Sequence, residues 1–398
     1  MKDLKHLIYF ESLLESANNE LVQQAQKDGK LAMGYTCFHI PEVLLNVDNC
    51  FSVRLRAPNT GSVDIATYYM SNYTCEYARA LTERAIEGGY QFLDAMIGVD
   101  ACSMMNRAME HFEILQVNDK PNFFVTHTDM PYKITDYTID CYVKQMRLRV
   151  LDRMTEVYGV DTSDAAIRKA VKEHNEICEI ISEIAEMRKA DNPVVTGYEF
   201  HVLVLATYTC PKYLIIDKLR ETLEELRARK PDAKSPFRAR VAIVGSEIDD
   251  HNLTRLIEGC GALVVSDRYC FGSSPGREVI PLNDDEDALT QICRHCMEVS
   301  ECARYISDEK VLQRRETADM LAKKYNADGI IYEQMKYCDY WGFERALASH
   351  VMAEEYGWPV LSIDRLYNNG NSGQLRTRVQ AFVESLEIKR IQKEGGKK

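Results

Sequence analysis

Phe92-Leu-Asp-Ala-Met-Ile-Gly-Val99, Ser103-Met-Met-Asn-Arg-Ala-Met-Glu-His-Phe-Glu-Ile-Leu115 and Asn122-Phe-Phe-Val-Thr126 form the stretch from which the fold is read. The first and last are short apolar runs of strand length, and the segment between them carries apolar residues at helical spacing. Parallel neighbours need a crossover of about a dozen residues or more, so this order predicts two parallel strands joined by a helix. The alternation continues outward. Leu31 to Tyr35 and Phe51 to Leu55 read as strands, Pro41 to Asn46 as a helix start and Cys75 to Glu87 as a helix. The first 30 residues read as an N-terminal helix with Leu4, Leu7, Ile8, Leu13 and Leu14 on one face.

From Asp136 to Arg229 the pattern turns almost wholly helical, with charged amphipathic stretches such as Ala165 to Lys189 and Lys212 to Lys230. The punctuation at Lys230 to Phe237 closes this layer. Strands then follow at Arg240 to Gly245, Leu263 to Ser266, Gly329 to Tyr332 and Pro359 to Ile363. Helices are expected at Asp250 to Gly259, Asp287 to Ile306, Lys310 to Tyr325, Gly342 to Tyr356 and Gly373 to Ser385. The expected organisation is a helical cover (1–30), a first α/β domain (31–135), a helical layer or insert (136–235), a second α/β domain (236–388) and a basic tail (389–398).

With 398 residues, 45% hydrophobic and 28% charged, the chain suits a soluble protein of more than one core. A formal net charge of -12 argues against nucleic acid or an anionic lipid surface as partner. No run approaches about 18 uncharged apolar residues, and the charged N-terminus lacks a signal-peptide pattern, so a cytoplasmic protein with no membrane partner is expected. Thirteen cysteines are many for such a chain. In a reducing compartment they serve as core hydrophobes, nucleophiles or metal ligands, and more than half are expected simply to pack.

Ligands of open parallel sheets bind beyond the carboxyl ends of the strands. Cys37, Cys102, Cys270 and Cys338 each follow a predicted strand, and Cys75 begins a helix on the loop side. If both sheets aim their loop ends at one cleft, thiolates from distant segments can converge on a single site. Three or four soft sulfur ligands suit an iron-sulfur cluster, and a three-cysteine set leaves one iron open.

Several segments bear a family likeness. They are Gly34-Tyr-Thr-Cys-Phe-His-Ile-Pro-Glu42, Tyr73-Thr-Cys-Glu-Tyr-Ala-Arg79, Gly88-Gly-Tyr-Gln-Phe-Leu-Asp-Ala-Met-Ile-Gly-Val-Asp-Ala-Cys-Ser-Met-Met-Asn-Arg107, Gly329-Ile-Ile-Tyr-Glu-Gln-Met-Lys-Tyr-Cys-Asp-Tyr-Trp341, Trp358-Pro-Val-Leu-Ser-Ile-Asp-Arg-Leu-Tyr367 and Gly373-Gln-Leu-Arg-Thr-Arg-Val-Gln-Ala-Phe-Val-Glu384. Taken in order, they resemble the 2-hydroxyacyl-CoA dehydratase and benzoyl-CoA reductase family. The resemblance implies an α/β protein of two Rossmann-like parallel-sheet domains with the cluster in the cleft between them. It implies a 4Fe-4S cluster held by Cys75, Cys102 and Cys338, its fourth iron taking a non-cysteine ligand. The implied partners are a homologous second subunit, or a second copy of the chain, an ATP-hydrolysing activator protein and an acyl-CoA substrate. The implied reaction is that of a lyase, radical dehydration of a 2-hydroxyacyl-CoA after injection of one electron. Reduction of an aromatic acyl-CoA, or a non-catalytic electron-relay or scaffold role, are the alternatives. The chain has no phosphate-binding loop of its own, since Gly272-Ser-Ser-Pro-Gly-Arg277 lacks the spacing and the lysine.

A related branch carries a larger double-cubane iron-sulfur cluster, which Cys37, Cys270 and Cys302 would complete; Arg56 stands where that branch is expected to have a further cysteine. Glu42 is the candidate catalytic carboxylate, or else it solvates a helix N-terminus. Cys293 and Cys296 form a short-spaced pair that suggests zinc, but on a helix face such a pair more often packs. His39, His127 and His201 are read as core or rim residues, and Arg376 and Arg378 as either signature or structural residues.

Overall fold

The computed structural model describes residues 3–367 and 372–395, with side chains as far as 392. Strands β1 (Leu31–Tyr35), β2 (Cys50–Arg54), β3 (Ala95–Asp100) and β4 (Phe124–Asp129) form one sheet in the order β2-β1-β3-β4. Strands β5 (Ala239–Gly245), β6 (Ala262–Arg268), β7 (Gly329–Met335) and β8 (Val360–Arg365) form a second in the order β6-β5-β7-β8. All of these pairings are parallel. The fold is therefore α/β with two sheets of the same topology, as the strand-and-helix alternation predicts. In each sheet the strand order reverses beside the first strand, so a crevice opens between β1 and β3 in one and between β5 and β7 in the other.

The inner strands are buried along nearly their whole length, which is why they read as continuous apolar runs. The strand expected from Phe92 begins instead at Ala95. The backbone turns first, with Leu93 N–H bonding Tyr90 C=O, and the Phe92 carbonyl is taken by the side chains of Gln26 and Lys120. The single helix expected over the first 30 residues is two, Leu7–Leu13 and Glu20–Lys27, because the Asn19 side chain accepts the Leu21 and Val22 amides and restarts the helix. The helix expected to run continuously to Ile306 stops at Val299, where Ser300 takes an extended conformation. The C-terminal helix runs from Ser372 to Gly395, further than its periodicity suggested, and seats Val379, Phe382, Val383 and Leu386 on the second sheet. Residues 396–398 of the expected basic tail lie outside the described residues.

The helical layer is built from Asp136–Gln145, Asp152–Tyr158, Asp164–Met187, Gly197–Thr209 and Lys212–Ala228, with a π-helical turn over Met146–Leu151. Its central member, Gly197–Thr209, is buried almost all round and packs against both β2 and β6, wedging the two sheets together. A capping box fixes its start: Thr196 Oγ1 accepts the Glu199 amide while Glu199 accepts the Thr196 amide. At Gly197 the backbone approaches β6 so closely that a Cβ would lie 2.4 Å from the Val264 carbonyl oxygen. Gly197→Ala is therefore expected to lower stability by about 1–3 kcal/mol, seen as a lower thermal midpoint. A midpoint equal to that of the parent would show that the wedge contact yields freely.

Candidate functional site

Across the cleft, the carboxyl ends of the two sheets face one cavity. It is lined by Thr36 and Cys37 after β1, by Ala101 and Cys102 after β3, and by Ser246 and Glu247 after β5. Cys270 after β6 and Cys338, Tyr340 and Trp341 after β7 face it from the other domain. Cys75 enters from the helix after β2, and Cys302 from the loop after Val299. The atom-free space here is ≈ 680 Å³, counting the part that opens to solvent. Six of the thirteen cysteines thus line one space, and six of the other seven are buried elsewhere. Zinc finds no comparable place at Cys293 and Cys296, whose side chains pack in the core, Cys296 against the Tyr142 hydroxyl and the Phe38 carbonyl. Among the described residues no three His, Cys, Asp or Glu side chains converge on a single-ion position. The six thiols ring a space larger than one ion.

They fall into two trios. Cys75, Cys102 and Cys338 each occupy the N-cap of a helix: Glu76–Ile86, Ser103–Ile114 and Asp339–Glu354. Burial pushes the Cys75 thiol up to about 12, while the nearby Ala78 and Tyr77 amides oppose that rise. Burial also raises Cys102, against the Met104 and Met105 amides, and holds Cys338 well above its usual value, against the Trp341 amide. Each of the three sulfurs therefore sits at a helix start, where the helix favours negative charge, although none accepts a capping hydrogen bond. The second trio is Cys37, Cys270 and Cys302. Burial raises all three, and as thiolates Cys37 and Cys270 repel each other and Cys302. A bound soft metal would replace such protons outright.

Glu247 is the carboxylate in this wall, and burial pushes it up to about 7. Arg54, itself buried, lies 3.7 Å from Glu247 Oε2, donates to the carbonyls of Thr36 and Cys270, and stacks on Phe271 at 3.9 Å. Behind Cys302 stands Arg304, 1% exposed, whose Nε and Nη1 have no hydrogen-bond partner and for which no carboxylate is in ion-pair reach among the described residues. Sequence reasoning singles out none of these three. Glu247 is within reach of the same rule that finds the cysteines, since it follows a strand ending at Gly245. Cys302 stands out in the sequence, but periodicity places it on a helix, and no Gly or Pro marks the stop at Val299.

Arg56, which stands where a cysteine was expected, does not line the cavity. It donates to the backbone carbonyls of Asp249 and Leu14 and so ties the N-terminal cover to the loop after β5. His201 is buried against Thr254, and His127 lies in β4 beside Gly98. Arg378 donates to the Ser362 carbonyl, while the Cys260 thiol donates to the Arg376 carbonyl. Glu42 lies outside the thiol cavity. Its Oε1 is 2.8 Å from Arg277, 2.9 Å from Lys212 and 3.3 Å from His174 Nδ1, and its Oε2 accepts from the Tyr35 hydroxyl. The carboxylate is buried and fully engaged, and burial is outweighed by Arg277 and Lys212, which hold it ionised well below its usual range.

The family model for 2-hydroxyglutaryl-CoA dehydratase, D-component, matches residues 37–386, a span that begins at Cys37 and contains all six cavity cysteines. The chain is 22% identical over 379 residues to the (R)-phenyllactyl-CoA dehydratase beta subunit of Clostridium sporogenes, covering 95% of this chain and 97% of that protein. It is 20% identical to the beta subunit of the (R)-2-hydroxyglutaryl-CoA dehydratase of Acidaminococcus fermentans, covering 92% and 95%. It is 22% identical to one of the benzoyl-CoA reductase subunits of Thauera aromatica, covering 80% and 81%. No helix among the described residues is long and apolar enough to cross a membrane.

The Glu42 cluster makes a pH prediction. His174, between Glu42 and Cys178 (3.2 Å), is pushed down by burial but raised further by Cys178 and Glu42, to about 8. A raised pKa adds stability that is fully present below the unfolded value of about 6.5 and is lost as pH rises through about 8. Stability should therefore fall by on the order of 2 kcal/mol from pH 6 to pH 8.5, and His174→Gln should flatten that slope in urea titrations. Parallel slopes for parent and variant would remove His174 as the cause.

Proposed function

The chain belongs to the 2-hydroxyglutaryl-CoA dehydratase D-component family, and from that premise we propose that its six-thiol cavity holds an iron-sulfur cofactor through which it acts, as part of a multi-component enzyme, on an acyl-CoA thioester. The observation that carries the reading is the convergence of six cysteines from six separate segments on one space between the sheets. The donor set fits the group. Soft sulfur donors from both domains match iron-sulfur chemistry, and the lining adds little that competes with them. The buried Arg304, with two unpartnered nitrogens, fits it independently, because an unpaired guanidinium is costly unless an anion sits nearby. Thiolate-ligated iron-sulfur groups are anionic.

Because both trios face the space, the larger double-cubane cofactor is the reading favoured, with Cys75, Cys102 and Cys338 on one side and Cys37, Cys270 and Cys302 on the other. The absence of a cysteine at Arg56 leaves that count intact. The N-cap geometry of the first trio favours a second reading, a single 4Fe-4S cluster on Cys75, Cys102 and Cys338 alone. Either cofactor would supply one-electron reduction. The chain's own residues would set its surroundings: helix starts and Arg304 offset negative charge, Tyr340 and Trp341 cover one side, and Glu247 gives the wall one polar group. Dehydration of a 2-hydroxyacyl-CoA by a lyase is the reaction proposed, from the dehydratase relatives; reduction of an aromatic acyl-CoA is the alternative that the benzoyl-CoA reductase relative supports. The proposed partners are a homologous subunit and an ATP-hydrolysing activator that delivers the electron. Glu42, fully engaged among Arg277, Lys212, His174 and Tyr35, is proposed as an anchor of the fold near the site.

Protein purified without oxygen is expected to carry about eight irons per chain for two cubes, and Cys302→Ala about half that or less. Cys102→Ala should also lose iron, whereas Cys178→Ala, in the helical layer, should keep it. About four irons, unaffected by Cys302→Ala, would favour the single cluster, and stoichiometric zinc without iron would overturn both.

A further inference from the structure

Cys37 follows β1, and the ring two residues further on turns back toward its sulfur. His39 is 1% exposed, with Nδ1 3.6 Å from Cys37 Sγ and Nε2 2.7 Å from Ser300 Oγ. Ser300 Oγ also accepts the backbone N–H of Cys302 at 3.4 Å. Among the hydrogen bonds of the described residues, the Ser300 hydroxyl has no acceptor other than His39 Nε2. Its hydrogen therefore goes to Nε2. A neutral imidazole that accepts at Nε2 carries its own hydrogen on Nδ1, the nitrogen facing sulfur. The residue is fixed further by its backbone carbonyl, which accepts the Tyr142 hydroxyl, and by Tyr305, which packs edge-on to the ring at 5.9 Å.

We propose that His39, oriented by Ser300, donates a hydrogen bond to the Cys37 sulfur and raises the reduction potential of the iron-sulfur group held there; this rests on reading the cavity as a double-trio iron-sulfur site. Reduction adds negative charge that spreads onto the sulfurs. An N–H dipole aimed at one of them stabilises the reduced form more than the oxidised one. His39 does not line the cavity and acts through Cys37 as a positioning residue. Ser300 sits where the helix ending at Val299 stops, so the turn that brings Cys302 to the cavity also sets the ring against Cys37. One hydroxyl thus links the ring beside Cys37 to the backbone of Cys302.

The test uses the full chain prepared without oxygen, with iron per chain and the midpoint potential, followed by paramagnetic resonance, measured together. His39→Ala should keep its iron, since all six thiols remain, and titrate at lower potential. A tenfold fall in the reduced-to-oxidised ratio at fixed potential, about 59 mV for one electron, is the expected size. Ser300→Ala should move the midpoint the same way by less, because the ring stays but is free to carry its hydrogen on Nε2. His201→Ala, which removes another buried imidazole, bonded to Thr254, should leave the midpoint in place. If His39→Ala fails to fold, Ser300→Ala decides alone. Unchanged midpoints with iron retained overturn the proposal, as does an equal shift in His201→Ala. A parent protein without iron overturns the iron-sulfur reading itself, and iron that does not depend on Cys37 overturns this use of His39 while leaving a single-cluster site standing.

Discussion

Three helices begin at one point of this protein, and each begins at a cysteine. The free N–H groups at a helix start favour negative charge by roughly 0.3–1 kcal/mol each at exposed sites and more when partly buried. Cys75, Cys102 and Cys338 gather three such starts around one cavity. Burial alone opposes thiolates, and the raised pKa of each thiol records that opposition. In the proposed function, an iron-sulfur group at the centre would replace the protons. The rest of the architecture serves to bring these helix starts together.

Two sheets of identical strand order do this. A parallel sheet whose order reverses opens a crevice at the carboxyl ends of the strands beside the reversal. Here one crevice is contributed by β1 and β3 and the other by β5 and β7, and the helix Gly197–Thr209 locks their relative placement by packing on β2 and β6. Arg54 and Arg304 lie behind the cavity walls, and their burial is costly unless negative charge lies near. Glu247 meets that need for Arg54, and nothing among the described residues does so for Arg304. The positive charge left over stands beside Cys302, the thiol that extends the site beyond the first trio.

Much of this was legible in the residues. Parallel strands buried on both faces leave apolar runs, and the eight strands stand within a few residues of where those runs lie. The rule that chemistry gathers at the loop ends of the strands located Cys37, Cys75, Cys102, Cys270 and Cys338, and the family likeness selected Cys75, Cys102 and Cys338 among them. The missing parts have specific physical reasons. The break at Ser300 carries no Gly or Pro, so periodicity ran through it and hid the direction of Cys302. The ion-pair partners of Glu42, His174, Lys212 and Arg277, lie 132 to 235 positions away in sequence, and no local pattern encodes their approach. Arg304 and His39 acquire significance only from what the fold leaves unpaired or turns toward a sulfur.

Diffraction from crystals grown without oxygen, with data collected at the iron absorption edge, tests the central claim most directly. The account predicts strong iron signal in the space between the β1–β3 and β5–β7 crevices, with Cys75, Cys102 and Cys338 bonded on one side and Cys37, Cys270 and Cys302 on the other. Iron bound elsewhere, or a cavity whose six sulfurs contact no metal in protein that contains iron, would contradict it.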